Sequence, residues 1–112
     1  MTPEKIHGET VKQLQETFLA MTSPEWDLAL EGKPPGVRKK AAKLLLSTQE
    51  ARVRLENAEL TQIRDKLLEN EEALQVGRQQ VMQSLERIQE IETVLKTVSS
   101  FIGIVARVVP LL

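Results

Sequence analysis

The sequence predicts an all-α protein in which short N-terminal helices precede one very long amphipathic helix, coiled-coil-like or packed in an oligomeric helical bundle. Three observations carry this. An apolar residue recurs at every seventh position from Leu46 to Val109 (Leu46, Val53, Leu60, Leu67, Leu74, Val81, Ile88, Leu95, Ile102, Val109). Seven residues make two helical turns, so these side chains form one slowly drifting line that another helix must cover. No proline interrupts residues 37–109, and aromatic residues are only 3% of the chain, so the core must come from Leu, Val, Ile and Ala.

Taken in order, a first helix is signalled by Thr2 as N-cap, Pro3 at the first helical position and Glu4 beside the positive end of the helix dipole. Its apolar face holds Ile6, Leu14, Phe18 and Met21, with Val11 and Leu19 alongside, and Gly8 weakens it by about 1 kcal/mol relative to alanine. The same cap, proline and acid order at Ser23-Pro24-Glu25 opens a short helix through Trp26, Leu28 and Leu30. Gly32-Lys33-Pro34-Pro35-Gly36 stops it, because a regular helix cannot run through two glycines and two prolines in a row of five.

From Val37 onward the residues are mostly good helix formers, with Gly77 and Gly103 as the weak points. A single helix over this segment is about 110 Å long, several times the breadth of a compact domain of this length. It must pair with other copies, pair with another protein, or kink and fold back, and Gly77 is the expected break. With the seventh-residue line as position a, the d positions include the polar Gln49, Glu56, Asn70 and Ser84 together with Gly77. Such a seam rejects a long parallel two-stranded zipper. The chain thus divides into an N-terminal cap with its turn (1–36), a long amphipathic helix (37–97) and an apolar C-terminal segment (98–112).

The C-terminal segment is where self-association is expected. Leu85, Ile88, Ile91, Leu95, Val98, Phe101, Ile102, Val105 and Val109 make a dense apolar stripe, and Val94, Ile104 and Val108 widen it until it nearly encircles the helix. These residues are the expected oligomer interface. An apolar helix of this kind also suits lipid contact, but Val98–Leu112 falls short of the roughly 20 residues a span needs. Lipid contact there therefore means an interfacial helix.

Charge is distributed in blocks. Residues 1–36 carry three basic and six acidic groups, 37–58 six and two, 59–92 four and eight, and 93–112 two and none, for a net charge of −1. Alternating blocks favour contacts between segments or subunits over one strongly charged partner. Arg38, Lys39, Lys40 and Lys43 stand at the start of a helix, where the dipole disfavours them. They are candidate contacts for an anion or an acidic partner, with a solvated face or a contact with the acidic first helix as the plainer reading. Trp26 is expected to pack inside the fold or, if exposed, to anchor a partner.

Catalytic signatures are absent. There is no cysteine, the one histidine (His7) stands near the N-terminus without a second metal ligand, and Asp65, Glu69, Glu71 and Glu72 point different ways around a helix. No phosphate-binding glycine loop occurs. No cofactor, metal or small-molecule substrate is expected, and nucleic acid is not an expected partner because the basic run is short and lacks aromatic company. The N-terminus has no apolar secretory core, which makes the cytoplasm, or a membrane surface facing it, the expected location. The reading is a non-enzymatic assembly or adaptor protein that self-associates through its C-terminal helix as a homo-oligomer, binds another helical protein, or both; the alternative is a peripheral membrane protein.

Overall fold

The breaks in the proline-free segment decide the architecture. The computed structural model describes residues 1–110. It contains α1 (Pro3–Ala20), α2 (Pro24–Glu31), α3 (Pro35–Asn57), α4 (Leu60–Glu69), α5 (Glu71–Leu85) and α6 (Ile91–Val105), with no strand among the described residues. The all-helical expectation holds, but the single very long helix does not: it is four helices. Leu111 and Leu112, the end of the expected C-terminal segment, lie outside the described residues.

Both capped starts form as read. The Lys5 N–H donates to Thr2 Oγ1 at 3.2 Å and the Trp26 N–H to Ser23 Oγ at 3.2 Å, each satisfying one of the donors a helix start leaves unpaired. The breaks further on use no glycine. Ala58 (φ −70°, ψ 141°) and Glu59 (φ −72°, ψ 123°) are extended and separate α3 from α4. Asn70 (φ −106°, ψ 10°) separates α4 from α5, its side-chain amide donating to the Lys66 carbonyl at 2.8 Å beside its own backbone N–H at 3.1 Å. The reversal of direction falls at residues 86–90, where the Arg87 N–H donates to Ser84 and the Glu90 N–H to Arg87, while Ile88 is buried beneath the turn.

Gly77 is therefore not the fold-back point. It lies buried inside α5, and a Cβ built on it would stand 2.9 Å from Phe101 Cδ1 and 3.2 Å from Ile104 Cδ1. The missing side chain lets α6 come down onto α5, and the close approach gives the antiparallel α5–α6 hairpin its tight seam.

Four helices close a ring: α1 packs on α3, α3 on α6, α6 on α5, and α5 on α1, with α4 crossing to α1. His7 Nε2 lies 2.7 Å from the Leu55 carbonyl, so it carries a proton and donates to the last turn of α3, and the two helices run antiparallel. The pairs Met1–Glu71 and Glu9–Arg78 align α1 with α5 in parallel. The resulting four-helix bundle has a Cα radius of gyration of 14.0 Å and a longest extent of 45 Å, near the ~13 Å expected of a compact chain this size and far from a 110 Å rod.

The periodic line survives only where it faces this ring. Leu67, Leu74, Val81, Ile88, Leu95, Ile102 and Val109 are all buried, but Leu46 and Val53 are exposed. In α3 the buried set is Ala41, Leu44, Thr48, Ala51 and Leu55, itself spaced by three and four. Leu46 stands two residues from Leu44, about 200° away around the helix. The buried face of α1 likewise differs from its apolar face: Thr10, Gln13 and Thr17 are buried, Phe18 is half-buried and Leu19 exposed. The hydroxyls of Thr10, Thr17 and Thr48 donate to carbonyls four residues earlier, and Gln13 donates to Thr17. Among the described residues no buried side-chain polar atom lacks a partner, which removes the penalty such groups otherwise carry.

Candidate interaction surface

The residues expected to form an oligomer core are already covered. Ile88, Ile91, Leu95, Val98, Phe101, Ile102, Val105 and Val109 are buried against the chain's own helices and Leu85 is half-buried. The physical reason is the fold-back at 86–90: once α6 reverses onto α5 and α3, its wide apolar stripe is enclosed on several sides without a second molecule. Only Leu85 and Ile104 of that stripe keep part of their surface exposed, and among the described residues no helix is long and apolar enough to cross a membrane. Trp26 is 2% exposed and is the one buried residue of α2. It packs inside the fold and fastens that helix to the bundle.

The basic cluster is where the structure leaves charge unanswered. Arg38, Lys39, Lys40 and Lys43 are all exposed and form no ion pair among the described residues. The first turn of α3 has no acidic residue and no side-chain cap. The expected compensation by the acids of α1 is absent: Glu9 of that helix pairs with Arg78 of α5 at 3.0 Å. The cluster adjoins apolar surface that the sequence reading placed in the seam. Leu46 is 73% exposed, and Ala42, Gln49 and Val53 continue its stripe at helical spacing. Gln49 and Arg52 face Gln15, Phe18 and Leu19 of α1 across a hollow of about 260 Å³. Leu19, at 66% exposure, thus stands beside the same stripe.

Two other features complete the surface. On α2, Leu28 is 68% exposed and shares a shallow hollow with Thr22, Pro24, Asp27 and Glu31. Between the outer faces of α5 and α6 lies an open, polar groove of about 710 Å³, lined by Gln83, Ser84, Glu86, Arg87, Lys96 and Thr97 among others. The Ser84 and Thr97 hydroxyls are 2.7 Å apart and Ser84 also donates to the Val81 carbonyl. Neither partner is a base that could activate a nucleophile, and both signs of charge line the groove.

Among the described residues no cluster of three or more His, Cys, Asp or Glu could hold a metal ion. His7 is half-buried and engaged by its bond to the Leu55 carbonyl. Glu92 stands at the start of α6, opposite Lys33. Its own backbone N–H at the start of α6, and then the Lys33 ammonium 3.3 Å away, hold its exposed carboxyl below the usual value. Exposed leucines were present in the sequence, but periodicity assigned Leu46 to a seam; only the position of the helix breaks turns it outward. Compared with protein-family models, with curated proteins and with solved structures, the chain matches none.

Proposed function

We propose that this chain is a non-enzymatic assembly or adaptor protein that docks a helical protein partner on the outer face of α1 and α3. The observation that carries the reading is that Leu19 and Leu46 are exposed and that two of the unpaired cations, Lys39 and Lys43, stand on the Leu46 side of α3, seven and three residues before it. Large exposed apolar residues scattered singly need no explanation. Here the α3 stripe of Leu46 runs on to Gln49, which lines the same hollow as Leu19, and a basic rim adjoins Leu46, the arrangement of an apolar centre with a charged border that protein interfaces use. The docking site differs from the C-terminal helix expected from sequence, because that helix is spent on the core.

The test is site-specific photo-crosslinking in cells. A photoreactive residue replacing Leu46 is expected to give a discrete adduct that the same residue at Ser99, exposed on α6, does not give. Adding Leu19→Glu should abolish it. Equal, diffuse labelling from both positions would refute docking at this face.

A further inference from the structure

We infer that the occupant of the α1–α3 face is a second copy of this chain, seated through α2 in a reciprocal two-fold pair. This rests on the docking reading above and names its partner. The argument is complementarity carried by the chain itself. Leu28 projects from α2 at 68% exposure with Glu25, Asp27 and Glu31 around it, all exposed and without ion pairs among the described residues; α2 has no basic residue. That is an apolar tooth with an acidic collar. The opposite surface, Leu46 and Leu19 with Arg38, Lys39 and Lys43 beside them, is an apolar seat with a basic collar.

Tooth and seat cannot meet within one molecule. Only Gly32, Lys33 and Pro34 separate α2 from α3, and Trp26 pins α2 by its other face. Both lie at the same end of the bundle, since α1 ends at Ala20, α2 follows directly and α3 starts there antiparallel to α1. Two copies related by a two-fold axis can therefore each place α2 on the other's α3, so that the pair closes and leaves neither complement unused. Each seated α2 also brings carboxylates to the cations that the α3 dipole disfavours.

Sedimentation equilibrium of the full chain is expected to show a mass that doubles with concentration between about 10 µM and 1 mM, with association weakening as salt shortens the screening length. Leu28→Gln and Leu46→Gln, at positions exposed in the single chain, should each weaken association by about tenfold or more while leaving the helical circular dichroism unchanged. The decisive variants exchange charge. One carries Glu25→Lys, Asp27→Lys and Glu31→Lys; the other carries Arg38→Glu, Lys39→Glu and Lys43→Glu. Each alone places like charges across both contacts and should stay monomeric, whereas an equimolar mixture restores both and should dimerise.

A wild-type chain that remains monomeric throughout, or swapped variants that associate as well alone as mixed, would overturn the proposal. If the chain is monomeric but the Leu46 crosslink still captures one other protein, self-docking fails while docking at this face stands.

Discussion

Replacing Gly77 with alanine measures the α5–α6 packing directly. In an open helix the change is favourable by about 1 kcal/mol, because alanine loses less backbone entropy and has the higher helix propensity. At Gly77 the new methyl would meet Phe101 Cδ1 at 2.9 Å and Ile104 Cδ1 at 3.2 Å, where carbon atoms prefer about 3.5–4.0 Å. The Phe101 ring is fully buried, so a shift that relieves the contact must displace the side chains packed around it. Forcing such a group into a packed core costs about 1–3 kcal/mol, so Gly77→Ala should lie between neutral and about 2 kcal/mol destabilising once the propensity gain is subtracted. Gly8 supplies the control: it lies inside α1 with nothing within 4 Å of its Cβ position, and Gly8→Ala should stabilise by about 0.5–1 kcal/mol. Urea unfolding followed by circular dichroism gives both values, and thermal midpoints should differ by several degrees in the same direction. Gly77→Ala as stable as Gly8→Ala would refute the close approach and with it the hairpin at 86–90.

Further outcomes follow from the same packing. Trp26→Ala should destabilise by about 3–5 kcal/mol, and the fluorescence of this single tryptophan should be blue-shifted and poorly quenched by iodide; ready quenching would place it outside the core. Deleting residues 98–112 removes Val98, Phe101, Ile102, Val105, Val108 and Val109 from the interior, each worth about 1.5–3 kcal/mol. That total rivals the whole stability of a domain, so the truncated chain should lose its cooperative unfolding transition. A folded, smaller particle would restore the expectation that this segment is an oligomer core. Because the Glu92 carboxyl is held below its usual value in the fold, its stabilising effect is present above the unfolded-state value and is lost as pH falls through the folded one. Lys33→Ala should raise its NMR titration midpoint only partway, since the backbone N–H remains, and full return to the ordinary value would show that the lysine acts alone.

The starts of α1 and α2 were legible because they are local. Thr2-Pro3-Glu4 and Ser23-Pro24-Glu25 each place a cap, a fixed φ and a favourable charge within one turn, and the resulting bonds are observed. The candidate surface was half legible: the basic cluster stood out by its conflict with the helix dipole, but Leu19, Leu28 and Leu46 carried no mark separating them from core leucines. The polar burial of Thr10, Gln13 and Thr17 gave no apolar signal at all, since their partners lie one turn away on the same helix. Trp26, weighed between core and partner, turned out to be core.

By itself, then, the chain determined its helical class, the two capped starts, the Gly/Pro stop before α3 and the apolar weight of α6, all of which act over a few residues. Only the tertiary structure decided where the proline-free segment bends. Ala58, Glu59, Asn70 and residues 86–90 differ from their neighbours in helix propensity by no more than about 0.7 kcal/mol per residue. Folding α6 onto α3 and α5 buries side chains worth several times that. The larger energy exists only when the facing helix is in place, so it overrides local preference at positions that carry no local sign, and in doing so turns Leu46 and Val53 out to solvent.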